Sequence, residues 1–264
     1  MSRIASLLAV PALAAAVAAG LAGCSSSSGS GSPATATSTA SSNVGLSGSE
    51  LLTAFKSAVA SATAVHVVGS IDQNGTPITL NLNLDKNGQS SGTVAQGSET
   101  VPIRVVNGVT YIQLTPALLK QEAASDPSIT AGVISLIENK WVSSQSTIGQ
   151  SISSSFNGLT NYDAFMASIE SGSASASATD TASGSASSPP VTLGDLTAAG
   201  TTTYNGQTVA VYKSSDGSTA YFAASGPAYL EKVTAVGSTS GTITFTWNQP
   251  VTVTAPAASD IFSG

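Results

Sequence analysis

The chain has 264 residues, with eight Lys or Arg against fourteen Asp or Glu, which gives a formal net charge of −6 at pH 7. This balance argues against a nucleic-acid partner, because nucleic-acid binding needs a basic face that replaces the counterions on phosphates. Only 8% of the residues are charged, so we expect a surface of mostly Ser, Thr, Asn, Gln and Gly that exerts little electrostatic steering.

The N-terminus has the layout of a secretory signal peptide. Arg3 precedes an apolar stretch from Ile4 to Leu21 that is rich in alanine and interrupted by Pro11. One positive residue followed by a short apolar region is typical of a cleaved export signal. A retained transmembrane helix is the weaker alternative, because the run contains a proline and no Lys or Arg follows it before Lys56. We therefore predict a signal peptide over residues 1–23.

Cys24 is the only cysteine of the chain and directly follows Leu21, Ala22 and Gly23. These four residues resemble the bacterial lipobox, which implies that a diacylglyceryl group is attached to the thiol and that the chain is cut before Cys24. Two acyl chains hold a protein durably on a membrane, whereas one chain is marginal. We therefore predict a lipoprotein anchored to the extracytoplasmic face of the cell membrane. No cysteine then remains for a disulfide or a thiolate metal site.

Two segments have the composition of linkers. Residues 25–46 contain no charged residue and almost no large apolar side chain, so they cannot bury enough surface to offset the entropy of ordering. Together with Cys24 they form a predicted disordered tether, residues 24–46, with a root-mean-square span of roughly 25 Å. Residues 170–190 have a similar composition and are predicted to be a low-complexity insertion in a single domain over residues 47–264.

The first element predicted after the tether is an amphipathic helix over about residues 48–63. Ser47 and Glu50 have the spacing of a capping box, and apolar residues follow at helical spacing. Over residues 65–114 the apolar pattern changes to a period of two, and Asn-Gly dipeptides separate the alternating segments. Because Asn-Gly accepts the positive φ of a tight hairpin, this pattern predicts an antiparallel meander with one apolar face.

Two helices are predicted after the first meander. One covers Pro116–Ala124, and the other covers Pro127–Asn139. Proline favours the first helical position, so Ser125 or Asp126 is expected to cap the second helix.

A short strand is expected at residues 140–143, followed by a helical region over about residues 150–169. Asn157-Gly158 is expected to break or bend that region. Strand patterns resume beyond the insertion and form a second meander. Two strand blocks around a helical middle predict an α+β fold rather than alternating βαβ units.

The order of these elements and four local phrases carry a resemblance to a known family. The phrases are IRVVNGVTYIQL (103–114), NKWVSS (139–144), TTYNGQTVAVYK (202–213) and YFAASGPAYLEKVTAVG (221–237). The chain resembles the actinobacterial LppX/LprG-type lipoproteins, which belong with the LolA/LolB-like lipoprotein carriers. The resemblance implies an incomplete antiparallel barrel of about eleven strands curled around several helices, with an apolar cavity between sheet and helices that holds acyl chains.

Aliphatic side chains without buried polar groups are the lining that such a cavity needs. The candidate lining residues of this chain are Leu80, Leu82, Ile103, Val105, Ile112 and Leu114 on strands and Val133, Leu136 and Ile137 on a helix. The alternative interpretation is a filled core, because apolar periodicity does not distinguish a packed interior from a hollow one.

The sequence gives little support for an enzyme. A catalytic triad would need the sole histidine, His66, and no serine lies in a G-x-S-x-G motif. The carboxylates are scattered singly and lack the spacing of a calcium loop. We expect His66 to be a partly exposed strand residue, and we predict no catalytic residue, no metal site and no cofactor.

The sequence therefore predicts a lipoprotein that is attached through Cys24 and binds or carries an acylated lipid or a glycolipid, as a monomer. The alternative is a structural or protein-interaction module of the cell envelope that has no small-molecule ligand.

Overall fold

The structure is a computed structural model that describes residues 41–73, 75–97, 99–125, 130–170, 193–237 and 239–262. The predicted signal peptide, Cys24, most of the tether and nearly all of the insertion lie outside the described residues. The predictions made for those segments stay predictions.

The described residues form five α-helices and eleven strands. Helices α1 to α5 cover Gly48–Ser61, Pro116–Ser125, Ala131–Ile137, Thr147–Thr160 and Tyr162–Glu170. Strands β1 to β11 cover Ala64–Gln73, Thr76–Asp85, Ser90–Gln96, Glu99–Val106, Val109–Gln113, Trp141–Ser143, Thr197–Tyr204, Gln207–Lys213, Thr219–Ala223, Leu230–Ala235 and Thr239–Trp247. Short 3-10 turns lie at Leu193–Asp195 and Ala258–Asp260.

All eleven strands belong to one sheet in the order β6-β5-β4-β3-β2-β1-β11-β10-β9-β8-β7, and every neighbouring pair is antiparallel. The first six strands and the last five are two meanders, and the pairing of β1 with β11 joins them. Val67 of β1 lies opposite Phe245 of β11. The predicted α+β fold, an incomplete antiparallel barrel curled around helices, is confirmed.

The capping box at the start of α1 is also confirmed. The Ser47 hydroxyl accepts a hydrogen bond from the Glu50 backbone N–H at 3.4 Å, and the Glu50 carboxylate accepts one from the Ser47 backbone N–H at 2.8 Å. The hydrogen bonds from the side chain and the backbone of Ser47 lower the pKa of Glu50. These reciprocal bonds fix the first turn of the helix.

Gly92 and Gly241 allow close approaches between strands. A Cβ atom at Gly92 would lie 1.9 Å from the carbonyl oxygen of Asn81, and one at Gly241 would lie 2.2 Å from that of Ser70. Because the obstacle in each case is the backbone of the adjacent strand, no side chain fits at either position. Glycine inside a strand is typical of tight bends and close backbone contacts, and these positions help the sheet to curl.

The helical middle differs from the prediction at two boundaries. Helix α3 begins at Ala131, where the Thr130 hydroxyl accepts from the backbone N–H of Val133 at 3.4 Å. The predicted cap at Ser125 or Asp126 is therefore wrong: Ser125 is the last residue of α2. A threonine closer to the apolar run caps α3 instead.

The predicted break at Asn157-Gly158 is wrong as well. Helix α4 runs through both residues and ends at Thr160, and the extended backbone of the C-cap residue Asn161 separates it from α5. The Asn161 side chain accepts from the backbone N–H of Ala164 at 2.9 Å, which starts the next helix. One glycine costs a helix only about 1 kcal/mol, and burial of Leu159 beside it offsets that cost.

The end of the predicted tether is packed on the domain. The Asn43 side chain is 2% exposed, and its amide donates to the carbonyl oxygens of Ala223 and Gly226 at 2.9 and 3.0 Å. Residues 41–46 are therefore part of the domain. Composition alone predicted them as tether because it does not reveal carbonyl groups that distant strands leave unpaired.

Residues 250–262 cross the outer face of the first meander. Arg104 donates to the carbonyl oxygen of Thr254 at 3.2 Å, and the Phe262 backbone N–H donates to that of Trp141 at 2.8 Å. Trp141 faces away from its core neighbour Val142 and is nevertheless only 7% exposed. This C-terminal segment, with the Arg104 guanidinium 4.7 Å from the indole ring, helps to cover Trp141.

Candidate functional site

The inner face of the sheet carries a continuous apolar row. The residues that lie opposite one another from β11 to β6 are Phe245, Val67, Leu82, Gly92, Ile103, Ile112 and Val142. The six that have a side chain beyond Cα are each at most 8% exposed. The antiparallel register thus brings three of the predicted lining residues together in one row.

The other predicted strand residues also face the interior. Leu80, Val105 and Leu114 are 3%, 8% and 3% exposed. Alternation along each strand places them on the same face as the apolar row. All six strand positions therefore meet on one surface, and their role in lining a ligand cavity stays a prediction.

Helix α1 fills the part of the interior under β8 to β11 with aromatic packing. The Phe55 ring stands edge-on to Phe222 and Trp247, with centroid distances of 6.0 and 6.3 Å. Tyr212 stands edge-on to Phe222 at 5.7 Å. Such edge-to-face contacts stabilise a fixed packing, so this part of the interior is already occupied by side chains.

The remaining part of the interior, between strands β2 to β5 and helices α2, α4 and α5, is the candidate site. Its helix residues are Leu118 and Leu119 of α2, Phe156 and Leu159 of α4 and Met166 of α5, all at most 5% exposed. Helix α4 packs against β2, β4 and β5, and α2 packs against β4. The arrangement is a mostly aliphatic layer between sheet and helices.

The third predicted group lies at the edge of this layer. Val133 and Leu136 of α3 are 39% and 74% exposed, whereas Ile137 is half-buried against the core. Helix α3 has no buried residue. The structure therefore brings only Ile137 of these three residues to the interior and leaves Val133 and Leu136 in contact with solvent.

One polar group lies on the inner face without a partner. Ser90 of β3 is opposite Leu84 on β2 and Val105 on β4, and it is only 2% exposed. Its hydroxyl oxygen has no hydrogen-bond partner among the described residues. A buried hydroxyl in this state is costly and calls for an explanation. Sequence reasoning missed Ser90, because a serine in an alternating strand resembles any solvent-facing polar residue.

The titratable group beside the candidate site is a tyrosine. Tyr162 of α5 is buried and donates its hydroxyl to the carbonyl oxygen of Val59 at 3.2 Å. Burial, with smaller contributions from Tyr229 and Asp163, raises the pKa of Tyr162 to about 12. Its hydroxyl is therefore a neutral structural contact between α5 and α1 at ordinary pH.

In the described part of the chain, no three His, Cys, Asp or Glu side chains come together as metal ligands would. His66 lies half-buried on the outer face, and its Nε2 is 2.9 Å from the Asn81 side-chain oxygen. None of the described helices has the length and apolarity that crossing a membrane requires.

An open groove of about 490 Å³ lies between residues 41–46 and α1. Its lining is rich in hydroxyl groups and consists of Ser41, Ser42, Asn43, Leu46, Ser49, Glu50, Thr53, Ala54 and Ser57. None of the predicted lining residues belongs to it. The groove is therefore separate from the candidate site.

Comparisons with known proteins gave structural neighbours only. No family model matches the chain, and no curated protein matches it. LprF from Mycobacterium bovis is similar over 80% of this chain and 97% of its own, with 12% identity and a TM-score of 0.46. The Mycobacterium tuberculosis lipoprotein LppX is similar over 78% of this chain and 99% of its own, with 18% identity and a TM-score of 0.42. The resemblance drawn from the sequence named the LppX/LprG type, and LppX is among these neighbours.

Proposed function

We propose that the protein is a membrane-anchored extracytoplasmic lipoprotein that binds a hydrophobic ligand, an acylated lipid or a glycolipid, between β2 to β5 and helices α2, α4 and α5. The observation that carries the proposal is that the apolar residues of α3 are not buried. This helix lies beside the apolar interior, consists largely of apolar residues and buries none of them.

Helix α3 supplies a route for such a ligand. Ile134 and Ile137 are half-buried against the core, and α3 packs beside α2. A helix that buries little apolar surface gains little free energy from its position, so moving it costs little. Its displacement would expose the aliphatic layer to an incoming acyl chain.

The anchor is the second part of the proposal. A diacylglyceryl group on Cys24 would keep the domain at the extracytoplasmic face of the membrane, where its ligand resides. The candidate site is formed by a single chain, so ligand binding itself needs only one copy. No cofactor and no catalytic step are part of the proposed function.

Native mass spectrometry of the full-length lipoprotein, released gently from detergent, tests ligand binding. The denatured mass reports the covalent anchor, and the native mass reports the anchor together with any bound lipid. We expect a difference equal to one acylated lipid per chain. Identical native and denatured masses, together with a melting temperature that delipidation leaves unchanged, would contradict the carrier function.

The Cys24→Ser variant tests the anchor separately. We expect this variant to appear in the medium or to keep its signal peptide, because no thiol remains for acylation. Unchanged membrane retention would contradict anchoring through Cys24 and would leave the ligand experiment unaffected.

The second candidate function is a protein-interaction module of the cell envelope without a small ligand. The exposed edge strand β7 favours it, because that strand offers a free backbone edge for pairing. Equal native and denatured masses are the result that this alternative predicts.

A further inference from the structure

Most side chains of strand β7 are exposed, on both faces of the sheet. It forms one edge of the sheet and pairs only with β8 among the described strands. Every residue from Thr197 to Thr203 is exposed, and only Tyr204 at its end is half-buried. The strand is fixed at its start, where Leu193 and Leu196 are buried. The Tyr204 ring lies 6.5 Å from the Tyr221 ring, and the other side chains of β7 are exposed.

The opposite edge of the sheet, strand β6, is partly covered by another segment of the chain. Ile261 forms a parallel bridge with Trp141 of β6, and the adjacent backbone N–H of Phe262 donates to the Trp141 carbonyl oxygen. The C-terminal segment thus covers part of the β6 edge. No described segment does the same for β7.

The part of β7 from Thr201 to Tyr204 also lacks the features that protect free edges. Thr197–Tyr204 reads TAAGTTTY and contains no charged residue and no proline. Lysine, proline, inward charges and β-bulges are the usual means of preventing edge-to-edge pairing. An irregularity between Ala198 and Thr201, with Gly200 at a φ of +97°, interrupts the strand. The register with β8 is continuous from Thr201 to Tyr204, so this part presents a regular edge.

We infer that β7 pairs in antiparallel orientation with β7 of a second copy of this chain, through the stretch Thr201–Thr203. Antiparallel pairing of two identical strands has two-fold symmetry, which is the commonest symmetry of protein dimers. It would satisfy backbone N–H and C=O groups on both edges and place threonines opposite threonines. This pairing does not depend on the proposed ligand.

The distribution of charge selects a second copy as the partner. The paired stretch is neutral, so two copies meet there without repulsion despite the net charge of −6. Asp195 and Lys213 lie beside the Thr197 end of the strand, and the Lys232 ammonium lies 5.6 Å from the Tyr204 ring at the other end. Antiparallel pairing places each of these groups at the opposite end of the interface from the same group of the second copy, which keeps identical charges apart.

Cysteine cross-linking in the full-length, membrane-bound chain tests the proposal. The natural chain has Cys24 as its only cysteine, so each variant adds one defined thiol. Thr201→Cys, Thr202→Cys and Thr203→Cys are compared with Thr246→Cys, an exposed position in the middle of the sheet. Residues opposite each other in an antiparallel pair are close enough for a disulfide. We expect at least one variant of the triad to form a covalent dimer several-fold above the control, and three variants at the control level would overturn the proposal.

Charge reversal provides a second test that needs no oxidation. Two differently tagged full-length copies are expressed together, and recovery of one with the other is measured. Thr202→Lys in both copies should lower recovery several-fold, because like charges face each other near the two-fold axis, and pairing Thr202→Lys with Thr202→Glu should restore it. Thr246→Lys in both copies should leave it unchanged. Undiminished recovery of the Lys–Lys pair, or no restoration in the Lys–Glu pair, would overturn the pairing.

Discussion

The hydroxyl of Tyr212 donates to the backbone carbonyl of Asn43 at 2.6 Å and accepts from the backbone N–H of Leu46 at 3.1 Å. One fully buried side chain of β8 thus holds the segment that leads into the domain. This connection joins the predicted tether to the aromatic cluster around α1.

Tyr212→Phe should therefore destabilise the domain. The substitution keeps the ring and removes the partner of the buried Asn43 carbonyl and of the half-buried Leu46 N–H, at an expected cost of about 1–3 kcal/mol in the free energy of unfolding. Urea denaturation measures the change. Tyr204→Phe, at the half-buried end of β7, serves as the control and should change stability by less than about 0.5 kcal/mol. Equal effects of the two substitutions would contradict the role assigned to the Tyr212 hydroxyl.

Alkaline pH should destabilise the fold through Tyr162. Its pKa in the folded state is about 12 against an ordinary value of 10.0, so the unfolded chain loses this proton first. Stability from this group is complete below pH 10 and is lost as pH rises toward 12. Burial also raises the pKa of Tyr212, which acts in the same direction. Tyr162→Phe should therefore reduce the pH-dependent loss of the free energy of unfolding above pH 10, as measured by urea denaturation. A loss as steep as that of the natural chain would contradict this account.

Two glycines should respond in opposite directions to replacement by alanine. At Gly92 the new methyl group would meet the Asn81 carbonyl, so Gly92→Ala should cost more than about 2 kcal/mol or prevent folding. At Gly158 in α4 nothing lies within 4 Å of the added atom, so Gly158→Ala should stabilise the protein by about 0.5–1 kcal/mol. Thermal unfolding of both variants checks the pair. A stabilising Gly92→Ala would contradict the close approach of β2 and β3.

The contrast between these glycines indicates what the sequence can and cannot predict. The alternation of Leu80, Leu82 and Leu84 predicted their common face correctly, because burial of one side of a strand imposes a period of two. The helix break predicted at Asn157-Gly158 was wrong because the local preference for a turn is weak compared with burial of neighbouring side chains. Element type therefore followed from pattern, whereas this boundary depended on tertiary packing.

In the candidate site too, some features follow from the sequence pattern and others depend on tertiary contacts. Helical periodicity placed Val133 and Leu136 on an apolar face, yet the fold leaves both side chains exposed to solvent. Ser90 and the packing of residues 41–46 depend on partners far away in sequence, which one sequence does not reveal. Contacts between distant segments therefore had to come from the structure.

Removal of the Ser90 hydroxyl should not harm the fold in the absence of ligand. Since this buried oxygen has no partner among the described residues, Ser90→Ala should raise the free energy of unfolding by about 1 kcal/mol. Ser91→Ala, on the opposite face of the same strand, should leave stability within about 0.5 kcal/mol. Chemical denaturation of delipidated protein measures both. Destabilisation by Ser90→Ala alone would mean that its hydroxyl is hydrogen-bonded in the folded protein.

Replacement by alanine should affect stability very differently at two leucines on neighbouring helices. Leu118 of α2 is 3% exposed and Leu136 of α3 is 74% exposed. Leu118→Ala should therefore cost about 2–5 kcal/mol, since it removes buried methyl groups and leaves a cavity, whereas Leu136→Ala should change stability by less than about 0.5 kcal/mol.

Amide hydrogen exchange tests the physical reason for this difference. Residues Ala131–Ile137 should exchange much faster than Thr147–Thr160, because α3 has no buried side chain and opens without disturbing the core. Leu136→Ala should leave the exchange of α4 unchanged, while Leu118→Ala should accelerate exchange in the β4 strand against which α2 packs. Slow exchange of α3, or an equal loss of stability in the two variants, would mean that α3 is an integral part of the core. The route that we propose for a ligand past this helix would then be closed.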